Sequence, residues 1–151
     1  MTGATEAADA LAGAGLVTFR EIADADVELV VALWETCGLT RPWNDPRTDI
    51  ADARGTPTST VLVGTSGAQL VSSVVAGYDG HRGWLYYVAV DPGRQGSGLG
   101  RATVDAAEEW LRRRGVRKVR LMVRHGNEQV LGFYGALGYA DAECVVLGRD
   151  L

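Results

Sequence analysis

A glycine-rich loop set between an apolar strand and an amphipathic helix constrains this chain more than any other feature. The run Trp84-Leu-Tyr-Tyr-Val-Ala-Val90 is almost continuously apolar or aromatic, as expected of a strand buried on both faces. Asp91-Pro-Gly-Arg-Gln-Gly-Ser-Gly-Leu-Gly100 follows directly. A helix is then expected from about Arg101, with Ala102, Ala106, Trp110 and Val104, Ala107, Leu111 as its inward stripe and Gly115 as its end. Such a loop aims backbone N–H groups at an anion and adds the positive end of a helix, so a phosphate-bearing ligand is the physical expectation. Two common phosphate loops do not fit. Gly93 and Gly98 have the Walker A spacing, but Leu99-Gly100 stands where Lys-Ser/Thr is required. Neither Gly96-x-Gly98 nor Gly98-x-Gly100 meets a third glycine at the dinucleotide spacing.

Around this loop the periodicities predict a strand over Leu16–Arg20 and a helix capped by Asp24, with Val27, Val30, Val31 and Trp34 on one face. Asp45-Pro46 starts a second helix that fades by Gly55. Thr58–Gly64 and Leu70–Gly77 read as a hairpin around Thr65–Ala68. Val119, Leu121 and Val123 alternate as a strand. Asn127 caps a helix carrying Val130, Phe133, Tyr134 and Leu137, and Cys144–Leu147 is a last strand that could give a homodimer its edge. The fold class expected is α/β, one domain over residues 16–151 with a mixed central sheet of about six to seven strands and helices on both faces. Met1–Gly15, mostly Ala, Gly, Thr and acidic residues, is expected to be a disordered tail.

Composition excludes several classes of function. With 15 basic against 19 acidic side chains and a net charge of −4, no sequence-independent grip on nucleic acid is expected. The arginines between Arg112 and Arg124 are divided between a helix end and a strand, so nucleic acid is not an expected partner. Cys37 and Cys144, with His81 and His125, make neither a disulfide framework nor a zinc set, and Cys37 and Cys144 read as packing residues. No metal, no membrane span and a cytoplasmic location follow as expectations.

Gln95-x-x-Gly98-x-Gly100, after a hydrophobic strand ending in Val90-Asp91-Pro92, resembles the GCN5-related N-acetyltransferase (GNAT) family. Asn127-x6-Tyr134 followed by Leu137-Gly138-Tyr139 is a second segment similar to that family. The resemblance spans about Leu16 to Leu151. The runs Trp34–Pro46 and Gly77–Gly83 look like the small bacterial YpeA-type members. The resemblance implies acetyl-CoA as cosubstrate, with its pyrophosphate held by Gln95, Gly96, Ser97, Gly98, Gly100 and Arg101. It also assigns the exposed backbone of Val88 and Val90 to the pantetheine arm and the acetyl carbonyl, where a fixed N–H would stabilise an oxyanion. Asn127 would bond the pantetheine arm, and Tyr134 would protonate the departing thiolate.

Each assignment has a plainer counterpart. Tyr134 sits where a core aromatic would, and Asn127 also serves as a helix cap. Trp43 and Asn44 fall between two helices that rim the acceptor groove in GNAT enzymes, and either lines that groove or packs. Asp79 and His81 precede the long strand, either as proton acceptors or as a solvated turn. Tyr86 and Tyr87 alternate faces, so one of them looks into the groove. Met122 stands where ribosomal-protein acetylating members carry a glutamate base, which argues against that acceptor. The activity expected is transfer of an acetyl group to a primary amine by direct attack; the alternative is a non-catalytic acyl-CoA sensor or partner-binding module. The acidic balance mildly favours a cationic small acceptor.

Overall fold

Five strands form one mixed sheet among residues 16–151, the part described by the computed structural model; the tail expected over 1–15 lies outside the described residues. β1 (Val17–Glu21), β2 (Ser59–Ser66), β3 (Gln69–Tyr78) and β4 (Gly83–Val90) pair antiparallel in chain order, and β5 (Val119–Leu121) joins β4 in parallel. The chain divides into two units, Met1–Leu121 and Met122–Leu151. The whole sheet belongs to the first.

The hairpin between β2 and β3 is tighter than expected. Pairing runs on through Thr65↔Leu70 and Ser66↔Gln69, so only Gly67 and Ala68 turn the chain, with Gly67 at φ +58° supplying the left-handed step. Helices α1 (Val27–Thr36), α2 (Pro46–Arg54) and α3 (Leu99–Arg112) cover both faces of the sheet. Two adjacent serines of β3 prove the arrangement, because neighbouring strand residues project to opposite sides. The Trp34 indole of α1 donates to Ser73 Oγ at 2.9 Å, while Thr103 Oγ1 of α3 lies 2.9 Å from Ser72 Oγ. On the α1 side, Val30, Val31 and Trp34 meet Ile50 of α2 and Val61, Val63 and Ala89 of the sheet, all essentially buried.

Several expectations are corrected. Asp24 does not cap α1; it is exposed and pairs with Arg54 at 2.9 Å. The carboxylate that fixes the entry to α1 is Asp26, which takes Arg20 through both oxygens (2.6 and 3.0 Å) and the Ala23 N–H at 2.7 Å. The buried stripe of α3 is Leu99, Thr103, Val104, Ala107 and Leu111, whereas Trp110 lies at its margin, donating to Glu21 Oε1 at 3.1 Å under the Arg114 guanidinium. β4 is not covered on both faces throughout, since Tyr86 is exposed.

In the second unit, α4 (Glu128–Ala136) begins where expected, with Asn127 Oδ1 accepting from the Val130 N–H at 3.3 Å. It ends at Gly138, φ +94°. Cys144–Leu147 is not a strand, and Val145, Val146 and Leu147 are exposed, so the described residues hold five strands rather than six or seven. A β-prone run becomes a strand only when another chain segment completes its ladder, and local sequence does not guarantee one.

Candidate active site

The loop leaving β4 is built by its own side chains. The Asp91 N–H makes the last bond to β3, to Val71 O at 2.8 Å, and its Oδ1 then accepts the Gly93 N–H at 3.0 Å over the short 3-10 turn Pro92–Arg94. The Ser97 hydroxyl closes back on the Arg94 carbonyl. Gly96 at φ +79° and Gly98 at φ +83° then swing the chain into α3, whose N-cap is Gly98. A Cβ built on either glycine meets nothing within 4 Å, so left-handed backbone demands them, and the space over the loop stays open.

The first helical bond of α3 runs from the Ala102 N–H to Gly98 O at 3.1 Å, which leaves the Leu99 and Gly100 amides ahead of the helix's own bonding. No acidic residue compensates that end; its first turn carries Arg101 instead. Gln95, Gly96, Ser97, Gly98, Gly100 and Arg101 are thus brought together, and they fit a pyrophosphate.

β4 presents an open edge beside this cradle. Its ladder with β5 covers only Gly83, Trp84 and Leu85. Towards β3, one residue (Val74, between Ser73 and Val75) faces two (Tyr87 and Val88, between Tyr86 and Ala89), a bulge in which Tyr87 sits at φ +51°. Because the Asp91 N–H points to β3, strand alternation turns the Val90 amide to the opposite, unpaired edge, while Val88 lies in the bulge itself.

The bulge aims Tyr87 at α1 and α2. Its ring stacks on Trp34 at 3.9 Å and 6°, and its hydroxyl donates to Asp49 Oδ2 at 2.7 Å. Burial, reinforced by the Asp49 carboxylate, pushes this phenol up to about 12. Asn44, on the α1–α2 loop, pulls the same phenol the other way, whereas Trp43 is 71% exposed. Of the two tyrosines, Tyr87 is the one tied to the helices; Tyr86 stays exposed, its phenol pushed up by burial and by Asp79. Asp79 works as a turn: it accepts the His81 and Arg82 N–H groups at 2.8 Å each and the Trp84 indole at 3.2 Å. Those backbone bonds hold its carboxyl at about 2, far too acidic for a good base. His81 lies exposed in the same turn.

Residues 20–139 match the family model described as the acetyltransferase (GNAT) family. The chain belongs to the GNAT family. It is an acetyl-CoA-dependent acetyltransferase. "Acetyltransferase ECA0875" of Pectobacterium atrosepticum is 43% identical over 126 residues, covering 83% of this chain and 89% of that protein. Among solved structures, AAC(6')-Iy with the bisubstrate analogue CoA-S-monomethyl-acetylneamine superimposes with a TM-score of 0.77 at 15% identity, covering 91% of this chain and 99% of that one. An acetyltransferase of Trypanosoma brucei gives 0.69 at 25% identity, over 90% and 100% of the two chains.

For this acetyltransferase, sequence reasoning missed two residues beside the open edge. Asp49 looked like one more acidic residue in a helix; only the bulge at Tyr87 gives it a partner. Cys37 Sγ lies 3.3 Å from Val90 O, and burial pushes its thiol up, so it acts there as a weak donor to the strand. Asn127 and Tyr134 belong to the second unit. There the Tyr134 ring makes edge contacts with Phe133 (4.9 Å) and Tyr139 (5.7 Å), and burial alone pushes its phenol up to about 12.

Proposed function

We propose that this acetyltransferase acetylates a primary amine by direct attack on acetyl-CoA. The observation that carries the reading is the pairing of an open, glycine-turned helix N-terminus with an unpaired strand edge, one suited to a pyrophosphate and the other to an amide-bearing arm. Acetyl-CoA supplies an activated acyl thioester. Gln95, Gly96, Ser97, Gly98, Gly100 and Arg101 hold its pyrophosphate, and the Val90 backbone and Asn127 hold the pantetheine arm. The Val88 N–H receives the carbonyl oxygen as negative charge grows on it. The amine nitrogen forms its bond to the acyl carbon while the carbon–sulfur bond breaks, Tyr134 Oη donates its proton to the departing sulfur, and the proton the nitrogen sheds passes to solvent, from which Tyr134 is reprotonated.

The raised phenol is consistent with that role, since it is protonated at any physiological pH. Trp43, Asn44 and Tyr87 line the acceptor side, with Asp79 and His81 in the turn beyond. A neighbour solved with a CoA bisubstrate analogue supports the cosubstrate.

Calorimetric titration with acetyl-CoA, followed by thiol release across a panel of amines, tests the proposal. Binding with amine-dependent thiol release supports it, whereas binding without release from any amine favours a sensor. Tyr134→Phe is expected to lower kcat by about 10²-fold or more while leaving the acetyl-CoA Kd near that of the parent.

A further inference from the structure

We infer that Asp49, oriented by Tyr87, anchors a second, non-reacting ammonium group of the acceptor, so that the acceptor class is a diamine or longer polyamine. This deepens the acetyltransferase reading and rests on it. Asp49 is half-buried in the first turns of α2, and its Oδ2 takes the Tyr87 hydroxyl at 2.7 Å. No hydrogen bond to its Oδ1 and no ion pair to Asp49 forms among the described residues. Arg41 is the cation whose field reaches Tyr87, but its guanidinium is held by the Gly38 and Thr40 carbonyls at 2.9 Å each. Asp45, the other carboxylate nearby, is occupied in capping α2 through the Arg47 N–H at 3.0 Å.

A half-buried carboxylate with one open oxygen and no cation selects a cation from solution. Its position relates it to the chemistry. Tyr87 immediately precedes Val88 in the bulge, so Asp49 stands one tyrosine side chain from the strand that would hold the acyl carbonyl. On this proposal the second ammonium of an acceptor whose first amine reacts at that edge sits at Oδ1. The bulge makes the arrangement specific: Tyr87 is held at φ +51° by its stack on Trp34 and its bond to Asp49, so the phenol and the carboxylate are fixed as a pair.

The test compares 1,3-diaminopropane with propylamine as acceptors for the parent protein and Asp49→Asn, after calorimetry has established acetyl-CoA binding to both. The parent is expected to favour the diamine in kcat/KM by about tenfold, and Asp49→Asn to bring the ratio near one. Asparagine still accepts the Tyr87 hydroxyl, so the fold is kept. Tyr87→Phe retains the stack on Trp34 and should raise KM for the diamine more than it lowers kcat. A parent without preference, a preference that survives Asp49→Asn, or no turnover of either amine overturns the anchor while acetyl-CoA binding leaves the cofactor reading standing. Absence of acetyl-CoA binding overturns that reading itself, and the anchor with it.

Discussion

The two halves of β4 are built to opposite specifications. Gly83–Leu85 is paired on both sides, by β3 and by β5, and is packed so closely that a Cβ on Gly83 would lie 2.9 Å from both Leu111 and Val116. Tyr86–Val90 is paired on one side only, bulged at Tyr87, and leaves the Val90 amide facing outward. One strand thus anchors the sheet at one end and offers its backbone to a ligand at the other. The difference teaches that a binding edge needs a neighbouring stretch where the same strand is fully satisfied, because unpaired backbone holds its shape only if the rest of the ladder fixes it.

Proline makes the sharpest cut between the halves. Leu85→Pro removes a ladder bond and a buried side chain, and is expected to cost roughly 3–5 kcal/mol, comparable to the whole stability of a small domain. Urea denaturation, or the absence of a cooperative transition, reads this directly. Val90→Pro removes an N–H that does not serve β3, so the transition should persist while acetyl-CoA affinity falls by about tenfold in calorimetry. Equal damage from both substitutions would erase the distinction.

Gly100→Glu tests the end of the open half. Gly100 is free of positive φ, and an acidic residue suits the first turn of a helix, so thermal stability should hold or rise slightly. Affinity for acetyl-CoA should nevertheless fall by roughly 100-fold, as the carboxylate occupies the anion's place. Gly98→Glu is a poorer probe, because φ +83° strains any side chain there. Gly83→Ala addresses the closed half: overpacking against Leu111 and Val116 should cost about 1–2 kcal/mol in urea denaturation with acetyl-CoA affinity unchanged.

The smallest effect concerns the turn that feeds β4. Asp79 is held at about 2 in the folded chain, below its ordinary value, so its contribution is complete above the unfolded carboxylate range and is lost as pH falls from there towards 2. Urea midpoints measured between pH 5 and pH 2, where the interval is set by that shift, should decline less steeply for Asp79→Asn than for the parent. A collapse of turnover in that variant at neutral pH would give Asp79 the role of base that its hydrogen bonds argue against.

Much of this was legible in the sequence for local reasons. The start of α2 at Asp45-Pro46, the Asn127 cap and the loop from Asp91 to Gly100 are written in residues that act on their immediate neighbours: a carboxylate reaching an N–H two or three residues on, a proline with preset φ, a glycine where φ is positive. Misreadings arose where a residue's partner lies far along the chain. Asp26 rather than Asp24 fixes α1 because Arg20 comes from β1, and Cys144–Leu147 fails as a strand because a ladder needs a second segment.

The sequence by itself therefore determined the order of elements as far as α4 and the glycine-turned entry to α3, since backbone dihedrals and helix caps are properties of short segments. Only the tertiary structure decided which edge of β4 stays open, which tyrosine turns to the helices and that Asp49 meets it. Those depend on where β5 stops and on a one-residue bulge, and a shift of one residue in a strand sends every following side chain to the other face.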